Sequence, residues 1–246
     1  MIAEPLDVVG NPATRNTESI ATPAKSPVAG VAISAALPIV PVGLRVEGKP
    51  ILVVGAGPIA ARKAAAYADQ GAQLTVVAPE HSDAMNRVPA VERHHRVFEP
   101  DDLDGMWLAV TATGVPSVDG AVFAESEARR IWCNAADDPD HCSVILPAVI
   151  RRGPLTVGIS SGGTSPASAS WIKRRVADLL DDETVAVAEI AARVRDTVRS
   201  LGLSTEVPGW AEVLDGGALD LVRTGTPEAL ERRLFEAVLG QAEASS

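Results

Sequence analysis

Residues 51–80, ILVVGAGPIAARKAAAYADQGAQLTVVAPE, decide the fold of this chain. An apolar run, Ile51–Val54, meets Gly55-Ala56-Gly57-Pro58-Ile59-Ala60. An alanine-rich, helix-like segment follows over Ala61–Asp69, then a turn at Gly71 and a second apolar run, Leu74–Ala78. This is a strand–helix–strand unit with its glycines at the first turn. Gly55 permits the tight turn, Gly57 lets backbone approach a pyrophosphate, and Ala60 keeps helix–strand packing close. The free N–H groups and positive dipole end of the helix then face the phosphates. A lone GxGxxA is weak evidence; its position between strand and helix makes dinucleotide binding the reading of this segment. The plainer alternative is a turn whose glycines serve packing alone.

The usual acid at the tip of the second strand, which holds the adenosine ribose, lies about 20 residues after the glycines. Here the tip reads Val77-Ala78-Pro79-Glu80, so Glu80 is the nearest acid, displaced by Pro79. No arginine stands there to meet a 2′-phosphate, which favours NAD over NADP.

Outward from this unit, strand-like runs at 39–46, 91–97, 107–111 and 131–134 alternate with helical runs at 60–69 and 118–129. The alternation predicts an α/β fold, a Rossmann-type doubly wound parallel sheet. After Pro147 the texture changes. A strand over 155–160 leads into Ser160-Ser161-Gly162-Gly163-Thr164-Ser165-Pro166. Ser165 is a good helix N-cap and Pro166 a good first helical residue, for a helix running to about Leu180. Val187, Ile190, Ala191, Val194, Val198 and Leu201 mark an amphipathic helix, and a last helix begins near Thr226-Pro227 and ends at Gly240. The expected division is an extension rich in Ala, Pro, Thr and Ser over 1–36, read as disordered; a nucleotide-binding domain over 37–146; a connecting segment over 147–180; and a small helical domain over 181–246.

Composition narrows the function classes. The 246 residues are 46% apolar but only 3% aromatic, so the core is built from Ala, Val, Leu and Ile. The net charge of −10 argues against general nucleic-acid binding. No apolar run approaches the ~18 residues of a membrane span, and the start of the chain does not read as a signal peptide. Cys133 and Cys142 are expected to be reduced cytoplasmic thiols. The four histidines have no metal-ligand spacing, so no structural metal site is expected.

Two further segments carry candidate chemistry. Cys133-Asn134-Ala135-Ala136-Asp137-Asp138 follows a predicted sheet strand, where open α/β sheets place their ligands. Asp137 or Asp138 is a candidate general base there, against the plainer reading of two acids in a polar loop. The Ser160–Pro166 loop, with hydroxyls and glycines before a helix N-terminus, is a candidate anion site or else a crossover. Arg151-Arg152 and Lys173-Arg174-Arg175 flank it.

VVGAGPIAARKA, LTVVAP, the run Trp107–Thr113, CNAADDPD and ILPAVIRRGPLTVGISSGGTSPASASWIKRR together resemble the N-terminal module of siroheme synthases, the precorrin-2 dehydrogenase / sirohydrochlorin ferrochelatase family, over about residues 37–246. The resemblance implies NAD-dependent oxidation of precorrin-2 to sirohydrochlorin, followed in several members by ferrous iron insertion. It implies a homodimer, with residues 147–180 as the dimerisation segment. Asp137 matches the family's aspartate implicated in both reactions. Gly55, Gly57, Pro58, Ile59, Pro79 and Glu80 match coenzyme-contacting stretches, and Thr113 and Asn134 are counted with them. Ser160, Ser161, Gly162, Gly163, Thr164 and Ser165 become substrate-binding candidates, and Ser161 matches a serine phosphorylated in some members. The extension is not a family feature, and no methyltransferase domain follows. An NAD-sensing module without catalysis and a chelatase without dehydrogenation are the competing readings. The choice of iron or cobalt is open.

Overall fold

The computed structural model describes residues 37–244 apart from Ala90 and Pro208; the extension over 1–36 lies outside the described residues. Five parallel strands, β1 (Pro50–Val54), β2 (Gln73–Val77), β3 (Val91–His94), β4 (Leu108–Thr111) and β5 (Trp132–Ala135), form one sheet in the order β3-β2-β1-β4-β5. The chain builds outward from β1 through β2 to β3 and then returns to β4 on the other side of β1, so the strand order reverses between β1 and β4. Neighbouring carboxyl ends diverge there and leave a crevice for a ligand.

Alternation along the strands places a layer on each face. Ile51, Val53, Leu74, Val76, Leu108 and Val110 pack on one face with Ala60, Ala61 and Ala64 of α1 (Pro58–Ala68) and Met85 of α2 (Asp83–Asn86). Leu52, Val54, Val77, Ala109 and Cys133 pack on the other with Val122 of α3 (Pro116–Arg129) and with Leu103. Strands buried on both faces need near-continuous apolar runs, which is what the sequence supplies. The methyl side chain of Ala60, fully buried, brings α1 against the sheet.

The loop after β4 is held by a buried acid. Asp119 on α3 is 7% exposed and accepts from the Thr113 hydroxyl at 2.8 Å, the Thr113 backbone N–H at 3.2 Å and the fully buried Thr111 hydroxyl. Beyond β5 the chain folds back: Cys142 bridges Asn134 in antiparallel sense, and the Ser143 and Val144 N–H groups donate to the Cys133 carbonyl.

Next come β6 (Ala148–Arg152) and β7 (Leu155–Ile159), an antiparallel pair separate from the main sheet. The two-residue turn between them has Gly153 at φ 51°, the glycine-demanding position of a hairpin turn. The sequence marks only the second of these strands. α4 (Pro166–Ala177) packs on the hairpin and is capped as expected, the Ser165 hydroxyl accepting from the Ser168 N–H at 3.1 Å. The last four helices, α5 (Asp182–Ser200), α6 (Gly209–Asp215), α7 (Ala218–Arg223) and α8 (Pro227–Ala244), enclose their own core of Ile190, Val194, Val198, Ala218, Leu230, Leu234 and Val238. Trp210 closes it, its indole N–H donating to the Leu234 carbonyl at 3.0 Å.

One sequence expectation fails. Residues 39–46 form no strand. Pro41 at the centre of the run has no N–H to give a ladder, and Val40 and Val42 are 83% and 69% exposed. Just before this run the chain touches the serine–glycine loop, where the Leu37 N–H donates to the Gly162 carbonyl at 2.9 Å.

Two expected outcomes follow from these supports. Asp119→Ala strands three donors, two of them hydroxyls, and should cost about 2–3 kcal/mol of stability in denaturant unfolding, with Asp119→Asn costing less; wild-type stability in the alanine variant would show that the acid is not a support. Asp181, the N-cap of α5, is held below the ordinary carboxylate value, first by donation from the Thr184 hydroxyl. A lowered folded value means stabilisation present at neutral pH and lost as pH falls through it. Asp181→Ala should therefore melt earlier than wild type at pH 7, and the gap should close in strong acid.

Candidate functional site

The sheet's carboxyl edge gathers the candidate residues of four strands. Gly55 follows β1, Pro79 and Glu80 follow β2, Thr113 follows β4 and Asp137 follows β5, while Asn134 lies within β5 itself. At the switch point Gly55 has φ 101°, and a Cβ on it would stand 2.6 Å from the Ala112 carbonyl oxygen. Only glycine lets the two loops pass this closely. Gly57 is different: a Cβ there would meet nothing within 4 Å. It is the N-cap of α1 with Pro58 as first residue, and no side chain caps the helix. The N–H groups of Ile59 and Ala60 lie in the first turn, where helical geometry gives them no internal partner. Open space in front of uncapped donors is the cradle a pyrophosphate requires. Ser82 fixes its floor, with its hydroxyl and its N–H both donating to the Ala56 carbonyl, at 2.7 and 3.1 Å.

At the tip of β2, Pro79 and Glu80 are exposed in a bend. The arginine of the neighbouring strand, Arg93, is committed elsewhere: its guanidinium donates to the carbonyls of Val88 at 2.6 Å and Met85 at 3.1 Å, closing the end of α2. His81 stacks on His95 with ring centroids 4.1 Å apart, and burial pushes its pKa down. Thr113 offers less side chain than expected, since its hydroxyl already donates to Asp119 and accepts from the Val115 N–H at 3.0 Å.

Around β5 the geometry is more specific. Asp137 is exposed and has φ 60°, one of two non-glycine residues in the left-handed region among those described. The Ala136 N–H, donating to the Thr111 carbonyl at 2.8 Å, anchors the backbone that carries it. Asp138 is otherwise engaged: His141 Nδ1 lies 2.6 Å from its carboxylate and holds its pKa down. Of the two acids left open by the sequence, Asp137 is therefore the one whose carboxylate has no such partner among the described residues. Burial pushes the Cys133 thiol up to about 12 and raises Cys142 as well, so neither is poised as a thiolate.

Three residues here are not among the sequence candidates. Asp119 reads in sequence as an ordinary first-turn acid of α3, and Ser82 as an ordinary cap. Lys63 is a lysine in an alanine-rich helix, yet it reaches β5 and donates to Asn134 Oδ1 at 2.7 Å. Burial lowers its pKa, against the opposing pull of Cys142 and Asp137. Among the described residues no cluster of His, Cys, Asp and Glu is arranged to hold a metal ion.

The serine–glycine loop is a separate feature within this chain. Gly162 and Gly163 are both left-handed, at φ 62° and 82°, and the Ser161 hydroxyl accepts from the Ser165 N–H at 3.0 Å. Ser160 Oγ accepts from the Gly162 N–H at 3.1 Å. No hydrogen bond among the described residues joins this loop to the carboxyl edge of the parallel sheet.

Comparison with known proteins follows this division. Residues 42–148 match a family model described as putative NAD(P)-binding, and residues 152–179 one described as sirohaem biosynthesis protein central. A siroheme synthase of Aeromonas hydrophila subsp. hydrophila is 40% identical over 163 residues, 65% of this chain and 35% of that protein. The siroheme synthase of Methylobacillus flagellatus is 34% identical over 209 residues, 82% of this chain and 44% of that protein. The chain thus spans less than half the length of these curated relatives. The solved structure of a precorrin-2 dehydrogenase, SirC, superposes with a TM-score of 0.65 at 25% identity, covering 80% of this chain and 100% of that one. A parallel five-stranded Rossmann-like sheet with the glycine cradle, followed without a break by the sirohaem-biosynthesis segment, makes this chain a member of the siroheme synthase N-terminal module family.

Proposed function

We propose that the chain oxidises precorrin-2 to sirohydrochlorin with NAD as hydride acceptor, in siroheme biosynthesis. The observation that carries this reading is Asp137: a carboxylate raised on left-handed backbone beyond β5, two strand spacings or about 10 Å from the glycine-bearing strand. The match to a precorrin-2 dehydrogenase structure, over 80% of this chain and all of that one, supports the same substrate class.

The residues divide the work as follows. Gly55 and Gly57 clear the approach to α1, whose first N–H groups hold the coenzyme's phosphates. Exposed Glu80 accepts from the ribose hydroxyls, and with Arg93 committed to carbonyls the pocket favours NAD over its 2′-phosphorylated form. The Thr113 loop, fixed by Asp119, and Asn134 line the far end. When bound, NAD supplies the two-electron acceptor. Oxidation of the macrocycle releases one hydride and one proton, and Asp137 takes the proton. The same carboxylate can draw pyrrole N–H protons during insertion of ferrous iron, which enters as substrate; a chelatase step is the second activity we assign to this site. Residues 37–146 are assigned to coenzyme binding, 147–180 to dimerisation and 181–246 to a helical tail.

The homodimer has support in the hairpin unit. Among the described residues β6 and β7 pair only with each other, and Trp171 and Ile172 of α4 are 53% and 40% exposed. The Ser160–Ser165 loop, unattached to its own sheet edge, is then a substrate-binding element contributed across the interface. Phosphorylation of Ser161 would place negative charge beside the α4 N-terminus and compete with carboxylates of the substrate. Two free thiols and no helix long and apolar enough to cross a membrane among the described residues accord with placement in the cytoplasm.

The test is anaerobic turnover of precorrin-2 with NAD, followed by ferrous iron. NAD-dependent appearance of sirohydrochlorin is the expected result, and Asp137→Ala should lower its rate by about 100-fold or more, the scale of a lost general base. Full activity in that variant would remove Asp137 from the mechanism; no NAD-dependent change with wild type would favour the sensing or chelatase-only readings. The two glycines should separate folding from binding. Gly57→Ala should fold and melt like wild type yet lose NAD affinity, because its methyl enters the phosphate cradle. Gly55→Ala should fail to fold stably, because its methyl meets the Ala112 carbonyl. Calorimetric NAD titration and thermal melts distinguish these outcomes.

A further inference from the structure

Lys63 is a half-buried cation with a single hydrogen-bond acceptor among the described residues. It sits in the second turn of α1, on the face that packs against the sheet, and its side chain spans past β4 to reach β5. There its ammonium donates to Asn134 Oδ1 at 2.7 Å. The Asn134 amide is itself fixed: its NH2 donates to the Val144 carbonyl at 2.9 Å and approaches Cys142 Sγ at 3.6 Å, which turns its oxygen toward Lys63. Asn134 is 5% exposed, so this geometry is set by packing.

The chain carries 32 acids, yet none stands within ion-pair distance of Lys63 among the described residues. A half-buried ammonium with one neutral acceptor is incompletely compensated, since burial outweighs the pull of Cys142 and Asp137. Desolvation disfavours its charge, and two of its three N–H donors have no partner among the described residues. A purely structural tie between α1 and β5 would be better made by an uncharged side chain, because a neutral hydrogen bond avoids the cost of burying charge. The position is also specific: Asn134 precedes Asp137 by three residues on the same strand end. An anion bound at Lys63 therefore lies beside the candidate base.

We propose that Lys63 is a substrate-anchoring residue, whose ammonium, aimed by Asn134, takes a carboxylate of a polycarboxylate tetrapyrrole and so sets the ring over Asp137. The ligand class rests on the function proposed above. An acidic protein needs such a cation to draw a polyanion to its surface, and a desolvated, pre-aimed ammonium binds a carboxylate more tightly than an exposed one.

The experiment is equilibrium binding of sirohydrochlorin to wild type, Lys63→Met and Lys63→Arg, followed anaerobically by its visible spectrum, with NAD titration and melting of the same proteins. Lys63→Met should weaken tetrapyrrole binding by about 10- to 100-fold, the range for a lost charged hydrogen bond. NAD affinity should be unchanged, and Lys63→Arg should recover part of the loss. In turnover of precorrin-2 the methionine variant should raise KM more than it lowers kcat. Equal sirohydrochlorin affinity in all three proteins overturns the proposal, as does a loss of NAD affinity and stability with tetrapyrrole affinity intact, which marks a structural tie. Wild type that binds sirohydrochlorin but does not turn precorrin-2 over would refute the dehydrogenase and leave Lys63 as an anchor. Wild type that fails to bind sirohydrochlorin overturns the anchor, and only if it also fails to turn precorrin-2 over is the dehydrogenase refuted with it.

Discussion

The contact on which the rest depends is the passage of Gly55 across the Ala112 carbonyl, with no room for a Cβ between them. It lies where the strand order reverses, so the loops after β1 and β4, which leave toward opposite faces, first pass within contact distance. The crossing sets the angle at which the chain enters α1 and so aims the helix N-terminus at the crevice. A larger residue would have to adopt φ near 101° and displace backbone, neither of which a side chain can absorb. The apolar strands make the sheet stable, but this crossing makes it a site.

Around that crossing the polar interactions are few and each orders a loop. Ser82 holds the glycine turn from one side and Asp119 holds the β4 loop from the other. These bonds are part-buried, and that of Thr111 to Asp119 fully so; away from water a satisfied network rigidifies and an unsatisfied one is costly. The positions proposed above to meet ligand are left without such partners among the described residues: Gly57 opens onto space, Asp137 is exposed, and Lys63 has one acceptor. Rigid support with unspent binding capacity at the surface is the arrangement a preorganised site needs.

The glycine unit is legible in sequence because its constraints are local. A tight turn, a close approach and a helix start each demand particular residue types within six positions, and the strands beside it are apolar enough to admit one reading. The Ser165 cap is legible for the same reason. What sequence does not disclose is pairing across distance. Lys63 and Asn134 are separated by 71 residues, and nothing in an alanine-rich helix marks the lysine as turned inward. Residues 39–46 mislead in the opposite direction: they have strand composition, but Pro41 removes the donor a central strand requires, and sheet order gives the run no neighbour. The first strand of the 148–159 hairpin is likewise hidden until its partner is in place, since Arg151 and Arg152 break its apolar pattern.

The left-handed backbone of Asp137 has a physical cost that sharpens its meaning. Aspartate tolerates this region better than most residues, and glycine tolerates it without strain. The chain meets such values with glycine at Gly48, Gly71 and Gly105, where φ is 67°, 75° and 75°, and with Arg130 at the C-cap of α3, where φ is 59°. Here a carboxylate occupies the position instead, exposed, with the backbone on its N-terminal side pinned to Thr111 through Ala136. Strain retained at an exposed side chain is not explained by packing, because the side chain packs against little. On the function proposed above, the left-handed turn has a use: it holds Asp137 beyond the end of β5, at the sheet edge where Gly55 also lies.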